Sequence, residues 1–96
     1  MSYKIYDRRG QTFEIKTYLG KVKKVYIGSV VQVKICNSKL DENYRVGYVH
    51  SVVRVRGSNF DQIVIYTRID EYRFSGEKIV ISECNIVNIR TLLKSI

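Results

Sequence analysis

The chain has 96 residues, 45% of them apolar, and its 17 Lys and Arg against nine Asp and Glu give a net charge of +8. That length builds one domain, with nothing left over for a second core, and no apolar run approaches the roughly 18 residues of a membrane-spanning helix. The charge attracts polyanions, nucleic acid before anionic membrane surfaces, and its excess sits in the first third, where residues 1–28 carry seven basic and two acidic side chains.

The apolar residues are mostly Val and Ile, with eight Tyr, three Phe, and no Trp, Ala or Pro. β-Branched and aromatic side chains suit a pleated, half-buried surface. Tyr3–Tyr6 and Thr12–Tyr18 alternate in polarity around the charged segment Asp7-Arg8-Arg9-Gly10-Gln11, which reads as a hairpin with a long loop. Leu19-Gly20-Lys21 turns the chain into a further run at Val22–Ile27. Gly28 precedes Ser29–Cys36, in which Val31, Val33 and Ile35 share a face. Asn37–Asn43 has turn chemistry throughout. Arg45–Val55 is the longest strand candidate. Gly47, Val49, Ser51, Val53 and Val55 are expected on one face, and Gly47 marks a bend or bulge.

After the turn Arg56-Gly57-Ser58-Asn59 comes Gln62–Ile69, with Ile63, Ile65, Thr67 and Ile69 aligned. Asp70–Glu77 reads as a polar loop or hairpin tip, followed by a strand at Lys78–Ile81. Ser82–Asn85 reads as one helical turn leading into Ile86–Ile89. Ile86, Ile89, Leu93 and Ile96 also satisfy helical spacing, so a short C-terminal helix is the second reading of that segment.

Five to seven short strands with Gly-bearing turns define an all-β fold, a small barrel or sandwich. In order and spacing, residues 28–91 resemble an SH3-like or Sm-like small barrel. The resemblance is carried by Gly28-Ser29-Val30-Val31-Gln32-Val33, Arg45–Val53, Gln62–Thr67, Lys78–Ile81, the helical turn and Ile86–Ile89. It implies a partly open barrel, with residues 1–27 as an added N-terminal hairpin. Domains of that kind bind RNA, DNA, peptides or modified tails, which implies binding before chemistry. The aromatic positions of peptide-binding SH3 domains are not recognisable here, which argues against a Pro-rich ligand.

No catalytic constellation is legible. His50 is the only imidazole and has neither a nucleophile nor a second acid in its motif. Asp41-Glu42 and Asp70-Glu71 lie in turns, where hydrated acids are ordinary. Gly57 and Gly76 are isolated turn glycines rather than a phosphate loop. Cys36 and Cys84 read as two buried free thiols, and with one His they make no zinc site. No cofactor, metal or small-molecule substrate is expected. Without a secretion-type apolar segment at Met1–Asp7, a cytoplasmic location is the default.

The basic residues carry the functional reading. Arg8 and Arg9 at a hairpin tip, Lys21, Lys23 and Lys24 near a turn, and Arg54 and Arg56 at a strand end are interleaved with Tyr48 and Tyr66 on the expected outer face. Cations bridging phosphates and tyrosines stacking on bases describe a small DNA- or RNA-binding module of weak sequence specificity. The competing reading is a non-catalytic protein-interaction adaptor or assembly subunit, a homo-oligomer included, whose outer tyrosines are covered by a partner and whose charges form a rim. Lys/Ile/Tyr-rich, Pro-free chains are common products of AT-rich bacterial, phage or archaeal-virus genomes.

Overall fold

The computed structural model describes residues 11–36, 43–71 and 73–94. The alternating runs become strands: β1 (Thr12–Lys16), β2 (Val22–Tyr26), β3 (Val30–Ile35), β4 (Asn43–Arg54), β5 (Asp61–Asp70), β6 (Arg73–Ser82) and β7 (Ile86–Leu93), with one 3₁₀ turn at Glu83–Asn85 before the last. β1 and β2 form a two-stranded hairpin, and the other five make an antiparallel sheet in the order β6-β5-β4-β3-β7. The protein is therefore all-β, and neither sheet closes on itself. Among the described residues no helix is long and apolar enough to cross a membrane.

The described partner of β1 is β2, with Thr12 opposite Tyr26 and Lys16 opposite Val22; Tyr3–Tyr6 and Asp7–Gly10 lie outside the described residues. Thr17–Lys21 closes this hairpin. Gly20 takes φ +89°, which its lack of a Cβ permits, and its N–H donates to the Thr17 carbonyl at 2.8 Å. The hairpin docks on the sheet through the Tyr18 N–H to the Ile86 carbonyl at 2.8 Å and the Lys16 N–H to Glu83 Oε2 at 3.1 Å.

Ile15 and Val25 of the hairpin join Val31, Val33, Val49, Ile63, Ile65, Ile81, Ile86 and Ile89 in the main core. Each such side chain contributes about 1.5–3 kcal/mol on burial, so every strand is held by its inward residues. A second cluster, Ile27, Val64, Tyr66 and Phe74, has Phe13, Tyr48 and Ile69 packed against it. β5 is consequently buried on both faces over Ile63–Tyr66.

Bulges alter three of the expected segments. On β4, Val49 opposes Ile65 but Ser51 opposes Val64, so His50 is an extra residue. The face switches there: Val52, not Ser51, packs against the main core, and the expected shared face of Gly47, Val49, Ser51, Val53 and Val55 is broken. The irregularity is at His50 rather than at Gly47. On β6, the register shifts opposite Thr67, where Gly76 takes φ +80°; Arg73–Glu77 is strand, and only the tip near Glu71 is turn. On β7, the register slips between Ile86 and Asn88 and again between Thr91 and Leu93. These slips put Ile86 and Ile89 on one face at a spacing of three, so the helical period of the C-terminal segment belongs to a twice-bulged strand and no helix forms there. Bulged edges of this kind also discourage edge-to-edge pairing.

A candidate nucleic-acid interface

The residues singled out from the sequence do not converge. Arg8 and Arg9 lie outside the described residues. Lys21 is exposed in the hairpin turn, its N–H donating to Thr17 Oγ1 at 3.1 Å. Lys23 opposes the buried Ile15 and is half-buried, whereas Lys24 opposes Glu14 on the other face of the hairpin. Successive strand residues point to opposite sides, so these two lysines cannot line one phosphate track. Arg54 Nε donates to Asp61 Oδ1 at 3.1 Å, and Arg56 is exposed in the turn after β4.

Tyr66 requires correction. It is 6% exposed, within the second cluster, with ring centroids 5.4 Å from His50 and 5.6 Å from Phe74. Alternation against Ile63 and Ile65 places it on the opposite face, but that face is covered too, so Tyr66 is a core residue and offers no ring to a base. Tyr48 is half-buried against the same cluster. His50 packs edge-on to Phe74 at 5.0 Å and shares a 2.8 Å hydrogen bond between Nδ1 and Ser51 Oγ; this makes it part of the bulge's packing. Cys36 is exposed and Cys84 half-buried, both as free thiols, so the pair is not buried as expected. No group of three His, Cys, Asp or Glu side chains among the described residues is placed to hold a metal ion.

Two concave regions lie beside the hairpin, where it meets the turn between β4 and β5 and the 3₁₀ turn. A cavity of about 350 Å³ is lined by Lys16, Thr17, Tyr18, Gly20, Asn59, Phe60, Glu83 and Cys84. Its aromatic walls are open to solvent, Tyr18 at 54% and Phe60 at 46%. A neighbouring groove of about 240 Å³ shares Lys16, Asn59 and Glu83 and adds Glu14, Arg54 and Asp61. Three carboxylates against two cations there oppose a polyanion.

The outer face of β4-β3-β7 has the opposite character. β3 lies between β4 and β7, and the register sets its residues in two rows: Asn88–Lys34–Tyr44 and Arg90–Gln32–Val46. Val31, Val33 and Ile89, of the opposite parity, are buried, so alternation turns these rows outward. Gln32, Lys34, Tyr44, Asn88 and Arg90 together line a depression of about 210 Å³. Tyr44 is 43% exposed, and the Lys34 ammonium lies 5.9 Å from the centre of its ring. A cation–π contact at such a site is worth about 0.5–1 kcal/mol.

Charge is segregated in the same sense. The described carboxylates are Glu14 on β1, Asp61 and Asp70 on β5, Glu71 in the following turn, Glu77 on β6 and Glu83 in the 3₁₀ turn. β3, β4 and β7 carry none, while holding Lys34, Arg45, Arg54 and Arg90. Sequence reasoning missed Lys34, Tyr44 and Arg90 because they stand on three different strands, the third more than fifty residues beyond the first. The legible signal was the outward parity of Gln32 and Lys34 within the Val31-Val33-Ile35 run. No family model, curated protein or solved structure matches this chain.

Proposed function

We propose that this protein is a small, non-catalytic nucleic-acid-binding module that holds DNA or RNA against the outer face of β4-β3-β7. The observation that carries this reading is the acid-free half-sheet, on which Lys34, Arg90 and the 43% exposed Tyr44 line one depression. Cations neutralise phosphates and release counterions, giving sequence-independent affinity that falls with salt. Arg56, beyond the end of this face, and Lys21 in the hairpin turn supply long-range attraction.

The meander β3-β4-β5-β6 with β7 returning beside β3 after a 3₁₀ turn supports reading the five-stranded sheet as an SH3-like, partly open barrel. The β1-β2 hairpin is then an addition to it. The second reading, a protein-interaction or assembly subunit, is favoured by the cavity walled by Tyr18 and Phe60. Light scattering separates the two, since a stable complex of several copies supports assembly.

The test is anisotropy of labelled single-stranded DNA, duplex DNA and RNA titrated over a range of salt. Log affinity falling linearly with log salt, with a slope lowered by Lys34→Ala and Arg90→Ala, supports nucleic-acid binding. Absence of binding to all three at low salt overturns it.

A further inference from the structure

Resting on that reading, we infer that the depression on the β4-β3-β7 face seats an unpaired base against Tyr44, with the Gln32 and Asn88 amides reading its edge, so that the ligand is single-stranded. The depression combines three chemistries that a base needs together. Tyr44 supplies an aromatic ring that is 43% exposed, and a stacked base is worth more than the Lys34 cation–π contact it would displace. Gln32 and Asn88 each carry an amide donor and an acceptor, and such amides pair with base edges. Lys34 opposes Asn88, and Arg90 opposes Gln32, across the β3–β7 ladder, so each amide has a cation beside it for the phosphates on either side of the base.

Scale agrees with one nucleotide. Three strands at a spacing of about 4.8 Å and two rows about 6.7 Å apart frame the depression of about 210 Å³, a patch on the scale of one nucleotide. A duplex hides its base edges in grooves that helices or ribbons enter, whereas this site is built on the face of three paired strands. Against a duplex, Tyr44 finds no base face to stack on, and the two amides meet only phosphates, which carry no base identity.

Anisotropy with the full chain tests this, using labelled homopolymeric single strands of each base and a duplex of equal length at one salt concentration. Single strands are expected to bind roughly tenfold or more tightly than the duplex. Tyr44→Ala should remove most of that advantage and leave duplex affinity unchanged, while Tyr44→Phe retains it. Gln32→Leu with Asn88→Leu should narrow the spread among the homopolymers without altering the salt slope. Equal or tighter duplex binding, equal losses on both ligands in Tyr44→Ala, or an unchanged spread in the double variant overturns the inference and leaves the phosphate-binding surface standing. Failure of the unmodified protein to bind any of these ligands removes both.

Discussion

Gly47 of β4 runs so close to Tyr66 of β5 that a Cβ on Gly47 would stand 2.8 Å from the Tyr66 carbonyl oxygen. The glycine is a requirement of space, not of backbone angle, since no positive φ occurs at this position. Its neighbours Ile65 and Tyr66 are both buried and have no room to retreat.

Three glycines separate space from angle. Gly57, at φ +83° with open space around it, should lose about 1 kcal/mol on mutation to Ala, from the left-handed conformation alone. Gly47→Ala should lose about 1–3 kcal/mol from overpacking alone. Gly76→Ala meets both penalties, because φ is +80° and the new methyl would collide with the Thr67 hydroxyl, and should lose about 2–4 kcal/mol. Urea midpoints of the three variants give the order directly; a Gly57 variant as damaged as Gly76→Ala contradicts it.

The hydroxyl that would block a side chain at residue 76 also accepts the Glu77 N–H at 2.9 Å. Thr67→Val keeps the shape and removes the acceptor, so it should cost about 1 kcal/mol. Amide exchange at Glu77 should quicken in that variant and stay unchanged at Val64, in the middle of the same strand pair.

Two tyrosines, one in the core and one on the surface, are expected to part company. Tyr66→Ala should destabilise the fold by about 3–5 kcal/mol. Tyr44→Ala should cost less than about 1 kcal/mol while weakening nucleic-acid binding. Denaturation curves and binding isotherms on both variants settle the assignment, and a large stability loss in Tyr44→Ala would count against its surface role.

Salt dependence distinguishes the two sets of cations. Lys34→Ala and Arg90→Ala should each lower the slope of log affinity against log salt by about one. Lys24→Ala should leave it nearly unchanged, since Lys24 opposes Glu14 on the hairpin. A larger effect at Lys24 than at Lys34 moves the binding surface to the hairpin.

Much of the architecture was open to sequence reasoning because alternation survives wherever pairing is regular. Val31 and Val33, and Ile63 and Ile65, face inward as their spacing requires, and the single turn before the last strand falls at Glu83–Asn85. Reading failed where one residue is inserted into a ladder. His50 reverses the face of β4, and the slips in β7 imitate a helical period, because a bulge depends on the partner strand and leaves little trace in its own. The candidate site was less legible still. Parity places Tyr66 outward, yet only the fold reveals that its outer face is covered. Lys34, Tyr44 and Arg90 become neighbours solely because β3 pairs with a strand just after it and with another some fifty residues on.

That last pairing sets an order in time. While a nascent chain holds only β1 to β6, Gln32 and Lys34 stand on a free edge with Tyr44 beside them and nothing on the other side. Asn88 and Arg90 arrive when β7 docks, and docking waits on the longest loop closure in the sheet. The proposed grip is therefore complete only once β7 has docked, and any truncation that removes β7 abolishes the surface while leaving every residue that precedes it in the chain.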